Sequence, residues 1–113
     1  MALFDYTKFD IAYKDIMKSS EWNKACEFYK SSKIILFYGH GGNLGIAEHA
    51  AIDATRITKS EKIGMSLGSS IQTTSLANDN GYDNLFTAWL DFTIKSLSLK
   101  KEDVCCVGIT STG

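Results

Sequence analysis

The sequence predicts an α/β domain built on a parallel sheet, and three observations carry that expectation. Three short apolar runs, at 33–38, 62–67 and 104–109, are rich in strand-forming residues. Stretches with helical spacing of apolar residues separate them. The first run also breaks into a turn carrying Gly39, Gly41, Gly42 and Gly45. Strand alternating with helix is the pattern of a parallel sheet, whose right-handed crossovers place helices on its faces.

Each element has its own reason. From Tyr6 to about Lys30 the apolar residues Phe9, Ala12, Tyr13, Ile16 and Met17 recur at helical intervals. Ser19 and Ser20 interrupt that pattern, and Ser20 followed by Glu21 reads as the cap of a second helix ending near Tyr29. Residues 1–32 are thus N-terminal helices, and 33–113 are the α/β portion. After the glycines, Leu44 to Thr58 returns to helical spacing. One side of that helix carries His49, Asp53 and Arg56 at intervals of four and three. Its other side, with Ile46, Ala50, Ala54 and Ile57, suits close packing on the sheet. The second strand holds Gly64, which weakens it. The polar, Ser/Thr/Asn-rich stretch from Gly68 to Gly81 reads as a loop with at most one helical turn. Tyr82 to Leu97 is a strong helix, with a stripe of Leu85, Phe86, Trp89, Leu90, Thr93 and Leu97. Trp22 and Trp89, at helical spacing, read as core or subunit contacts. The last strand feeds Thr110, Ser111, Thr112 and Gly113. A buried strand of this kind normally continues into a covering helix, so the expectation is the front part of a longer domain or a sheet covered by a partner subunit.

With 113 residues, 44% of them hydrophobic and 22% charged, the chain has the size and composition of one small globular domain. A formal net charge of −1 supplies no field that would favour nucleic acid or an anionic membrane. No apolar stretch approaches the roughly 18 residues of a membrane span. The N-terminus MALFDYTKFD lacks the basic and apolar regions of a secretory signal. Cys26, Cys105 and Cys106 form no paired framework, and they are expected to be reduced, buried thiols in a cytoplasmic protein.

The stretch LFYGHGGNLGIAEH, residues 36–49, admits three chemistries. A dinucleotide fold needs G-x-G-x-x-G, but Leu44 stands where the third glycine belongs, and the second strand ends without an acidic residue for a ribose hydroxyl. A hydrolase elbow is matched in letters by Gly64-Met-Ser66-Leu-Gly68, with His40-Gly41-Gly42 upstream. The base histidine of that fold follows its serine, whereas His40 and His49 both precede Ser66, so Ser66 is expected to be a strand residue. The third chemistry is a sugar-phosphate site. Its glycines let the backbone approach a ligand, and the following helix N-terminus favours an anion. A solvated polar stripe with a surface ion pair is the competing reading of His49 and Asp53.

Three separated motifs, GHGGNLGIAEHAAID, LANDNGYDNLF and GITSTG, resemble the sugar-isomerase (SIS) domain family in order and approximate spacing, from about Ile34 to Gly113. Within it, the resemblance is to the enzymes that interconvert sedoheptulose 7-phosphate and the manno-heptose 7-phosphate. It implies a three-layer α/β sandwich with a flavodoxin-like parallel sheet, and N-terminal helices that pack in a homo-oligomer, a dimer or tetramer. It also implies a sugar-phosphate ligand. His40, Gly41, Gly42 and Asn43 match the family's first substrate loop, with His40 in place of asparagine and Asn43 in place of serine. Asn78 and Asp79 match a second substrate contact, and Thr110, Ser111 and Thr112 match the phosphate loop. His49 corresponds to a zinc ligand, and Asp53 to a glutamate that is both zinc ligand and catalytic carboxylate. The family's later glutamine and histidine have no counterpart within residues 1–113. A non-catalytic module of the same family, holding a phosphosugar or a partner protein, is the alternative.

Overall fold

A computed structural model describes residues 4–68 and 70–112. They fall into two compact units, Met1–Ser31 and Ser32–Gly113. The first unit holds α1 (Tyr6–Lys18) and α2 (Ser20–Ser31). Asp5 caps α1, its side chain accepting the N–H of Lys8 at 3.1 Å. The break between the helices rests on Ser19, one residue before the expected cap. Its Oγ donates to the Ile16 carbonyl at 2.6 Å and accepts the Trp22 N–H at 3.1 Å, so a single hydroxyl ends one helix and begins the next. Neither helix buries a residue, and Tyr6, Phe9, Tyr13, Ile16 and Phe28 are exposed.

The second unit is α/β. Its strands are β1 (Ile34–Gly39), β2 (Ile63–Ser66) and β3 (Val104–Ile109), all parallel, in the order β2-β1-β3. The central strand is the most apolar run and is the best buried: Ile35 and Leu36 are fully covered. Side chains alternate across the sheet. Leu36 joins Leu67, Leu85, Trp89 and Val104 in a core on one face, closed by α5 (Leu85–Ser96) and by Leu76 and Ala77 of α4 (Ser70–Asn80). The opposite face carries α3 (Gly42–Ile57).

The segment from Gly68 to Gly81 is mostly helix, not loop; Ser69 lies outside the described residues. Tertiary contact decides this. Leu76 and Ala77 pack on the core, and the Thr73 hydroxyl donates to the Gly68 carbonyl at 3.1 Å, overriding weak intrinsic propensity. A 3-10 turn, Tyr82–Asn84, then precedes α5, so the helix expected from Tyr82 begins in earnest at Leu85.

The buried face of α3 also differs from expectation. Ala47, Ala51 and Ala54 are buried, whereas Ile46 and Ile57 are exposed. The cause is close approach. A Cβ added at Gly64 would stand 2.0 Å from the Ala51 carbonyl oxygen, so only small side chains fit between helix and sheet. Gly64 thus seats the helix. The thiols divide as well: Cys105 is buried, Cys26 is half-buried and Cys106 is exposed, and all three are free. Desolvation raises both strand thiols above the ordinary value, only in part for Cys106 since its side chain is exposed; for Cys105 the neighbouring Cys106 adds to it and Lys62 opposes it. No helix among the described residues is long and apolar enough to cross a membrane.

Candidate functional site

The sheet order reverses at β1: the chain leaves this strand toward β2 and later returns on its other side as β3. In open α/β sheets, a crevice forms beyond the carboxyl ends of strands at such a point. Here Gly39 is paired with Ile109, so the turn after β1 and the loop after β3 start side by side. They line one cavity of about 460 Å³, which includes His40, Asn43, Thr110, Ser111 and Thr112.

Local sequence explains how each side arrives. Gly41 adopts φ 58° and ψ −126° at the head of α3, a conformation that L side chains rarely take. Leu44 donates its N–H to the Gly41 carbonyl and Asn43 to that of His40, both at 3.0 Å, so the turn passes directly into helix. On the other side, the Thr112 N–H donates to the Thr110 hydroxyl at 3.3 Å, curling the loop back on itself. Gly113, the end of the Ser/Thr motif, lies outside the described residues.

One wall is aromatic. Phe86 lies 5.0 Å from Tyr38 and 4.4 Å from His40 between ring centroids, and His40 stacks on Tyr82 at 5.1 Å and 29°. Tyr82 Oη and His40 Nδ1 are hydrogen-bonded at 3.1 Å. On the Tyr82 side lies a smaller cavity of about 190 Å³, lined by His40, Gly41, Leu44, Thr73 and Tyr82 among others. The sequence carries a signal for Tyr82 in its spacing: Tyr82 and Phe86 are four apart, which brings side chains onto one face of a helical segment.

Among the described residues, no carboxylate and no Lys or Arg lines the larger cavity. Its polar groups are hydroxyls, an amide side chain and an imidazole, which suits a small ligand rich in oxygens. An anion there would meet hydrogen-bond donors without repulsion from a fixed negative charge.

The other expected residues lie elsewhere. His49 and Asp53 line a shallow groove of about 520 Å³ with Gly42 and Gly45. His49 Nε2 is 3.2 Å from Asp53 Oδ2, and Arg56 donates to Asp53 Oδ1 at 2.8 Å. The His49 and Arg56 side chains are 77% and 74% exposed, so this trio is a solvated chain of polar contacts. Asn78 and Asp79, exposed on α4, are hydrogen-bonded to each other at 3.2 Å and line neither cavity at the strand ends.

Zinc can be tested against these donors. A separation of 3.2 Å is close to the edge of a tetrahedron with bonds of about 2.1 Å, so the pair could share an ion. The set stops at two, however, and a guanidinium already holds the second carboxylate oxygen. Among the described residues no group of three His, Cys, Asp or Glu is placed to hold a metal. Among the described residues, His49 and Asp53 thus supply two donors, short of the four that a structural zinc ion takes.

A further surface groove, about 810 Å³ beside α4 and α5, is lined by Met65, Leu76, Trp89, Phe92 and neighbours, without an acid or a base. Its composition carries no chemistry. Compared with known proteins, the chain matches no protein-family model, no curated protein and no solved structure.

Proposed function

We propose that this chain is a phosphosugar-binding α/β domain of the sugar-isomerase kind, with a three-layer flavodoxin-like architecture. Its activity in the assembled protein is aldose–ketose isomerisation of a sugar phosphate, such as sedoheptulose 7-phosphate. One observation carries the reading: the glycine-rich turn after β1 and the Thr110–Thr112 loop after β3 share a carboxylate-free cavity where the strand order reverses. In this reading the phosphate takes hydrogen bonds from the Thr110, Ser111 and Thr112 hydroxyls and backbone, and the sugar hydroxyls lie against Asn43 and His40. Isomerisation moves a proton between neighbouring carbons beside a carbonyl. It needs a base, an acid and a donor to the developing oxyanion. His40 is the imidazole inside the cavity and can serve as that donor.

A second reading is favoured by a specific observation. Asp53 stands outside the cavity with both oxygens engaged, which suits a non-catalytic module that holds a phosphosugar or a partner protein. The exposed apolar residues of α1 and α2 are compatible with a homo-oligomer, and the free thiols with a reducing, cytoplasmic setting.

The test is an amide-shift titration of the full chain with sedoheptulose 7-phosphate, followed by an assay of the product. Shifts confined to 39–43 and 110–112 with turnover support the isomerase, and the same shifts without turnover support the module. Shifts absent from both loops defeat the cavity as the phosphate site.

A further inference from the structure

We propose that Tyr82 is a positioning residue that holds His40 in its Nε2–H form, so that the imidazole offers a fixed donor to an anionic ligand in the cavity. This deepens the reading of the cavity as a sugar-phosphate site and rests on it. The two ring nitrogens of a neutral histidine have opposite roles, and the partner of one sets the proton on the other. Here Nδ1 is taken by the Tyr82 hydroxyl at 3.1 Å. Among the described residues Nε2 has no protein partner, so Nε2 is the nitrogen left for a ligand.

Two arrangements satisfy the Tyr82–His40 bond. In the first, Nδ1–H donates to the phenol oxygen, and Nε2 turns a lone pair toward the ligand. In the second, the phenol O–H donates to Nδ1, and Nε2 carries the proton. A phenol donates well and accepts poorly, because its oxygen lone pair is delocalised into the ring, so the second arrangement is favoured before any ligand arrives. An oxyanion in the cavity favours it again, since a lone pair facing an anion repels it while an N–H attracts it.

The ring is also held in place. Phe86 packs against it at 4.4 Å and Tyr82 stacks on it at 5.1 Å, so the tautomer and the plane are fixed by the same neighbours. Tyr82 can do this from the surface. It opens the 3-10 turn, follows Gly81 at φ 84°, and is 63% exposed, so removing its hydroxyl leaves the core untouched.

The experiment uses the full chain and sedoheptulose 7-phosphate. Long-range proton–nitrogen spectra, recorded without ligand and above the range where imidazole is charged, should show His40 with protonated Nε2 and bare Nδ1. Tyr82→Phe, which keeps the ring, should give a mixture of the two forms. The same substitution should weaken sugar-phosphate binding by about 3-fold to 10-fold, the worth of one well-placed hydrogen bond. In a His40→Asn background, where the amide supplies its own donor, Tyr82→Phe should change nothing further; a merely structural tyrosine would cost the same in both backgrounds.

The proposal is overturned if His40 carries its proton on Nδ1. It is equally overturned if Tyr82→Phe alters neither the spectrum nor the affinity, or if it costs as much in the His40→Asn background as in the unsubstituted chain. Failure of the underlying reading looks different: the unsubstituted chain would then show the expected tautomer and yet bind no sugar phosphate, and the donor role would fall with the site.

Discussion

Replacing Gly64 with alanine tests the seam on which the site depends. The added Cβ would stand 2.0 Å from the Ala51 carbonyl oxygen and within 2.8 Å of its carbonyl carbon and Cα. An ordinary carbon–oxygen contact lies at about 3.3 Å, so helix α3 must retreat by about 1.3 Å. Backbone on both sides leaves no flexible side chain to yield. Overpacking of this kind costs about 1–3 kcal/mol. The retreat also stretches the bond from the Gly64 N–H to Thr55 Oγ1, now 2.8 Å. That loss adds about 0.5–1.5 kcal/mol. A unit of about 80 residues is stable by roughly 4–12 kcal/mol, so a loss of about 2–4 kcal/mol is a large share. It should lower Tm by about 8–30 °C, followed by circular dichroism at rising temperature. Gly45→Ala is the control, because a Cβ there meets nothing within 4 Å and the residue is inside α3. It should raise Tm by about 2–8 °C through helix propensity alone. A Gly64→Ala chain that melts within about 4 °C of the original would refute the close seating of α3. Because the same helix begins at the Gly41–Asn43 turn, the substitution should also weaken the sugar-phosphate binding proposed for the cavity.

Gly41→Ala should cost about 1–3 kcal/mol in urea unfolding although its Cβ has open space, since the strain lies in φ alone. Leu85→Ala, which empties the centre of the core, should cost about 2–5 kcal/mol in the same measurement. Asp53→Ala should change stability by no more than about 1 kcal/mol, as expected for a solvated pair; a larger loss would show that the trio is structural. The two strand thiols are neutral in the folded chain at pH values where the unfolded chain ionises them. Their contribution is therefore fully present below the ordinary thiol range and declines as pH rises through and beyond it. Urea midpoints measured across that range should fall, and replacing Cys105 and Cys106 with alanine should flatten the decline. A disulfide reagent should meet Cys106 well before Cys105.

The central strand was legible because burial on both faces demands a continuous apolar run, and Ile35, Leu36 and Phe37 form one. Helix α5 was legible because Leu85, Phe86, Trp89 and Leu90 keep helical spacing. Helix α4 was not. Its sequence SIQTTSLANDN has few helix-favouring residues, and what makes it a helix is the docking of Leu76 and Ala77 on a core contributed by distant segments. The face of α3 was misread for a related reason. Hydrophobic spacing favours the isoleucines, but contact with Gly64 requires small residues, and no local rule says that a glycine on the following strand will approach the helix. Within the site, the residues at strand ends were legible because topology places loops there. The aromatic wall required knowing that α4 ends where His40 can meet Tyr82.

The position of His49 and Asp53 follows from the same geometry. A helix rises about 1.5 Å per residue, so Asp53 stands about 15 Å along α3 from Asn43, the helix residue that lines the cavity. A helix face that points at its own N-terminus in a sequence pattern can therefore lie far from it in space. What the pattern reports correctly is the shared face: Gly42, Gly45, His49 and Asp53 do line one groove. What it cannot report is that the first turn of α3 is divided between this groove and the strand-end cavity, Gly42 and Gly45 lining the groove and Asn43 the cavity. Histidine at position 40 stands on the cavity side of that division, in contact with Phe86 and Tyr82, and His49 stands on the other. Of the two histidines, His40 is the one that lines the strand-end cavity.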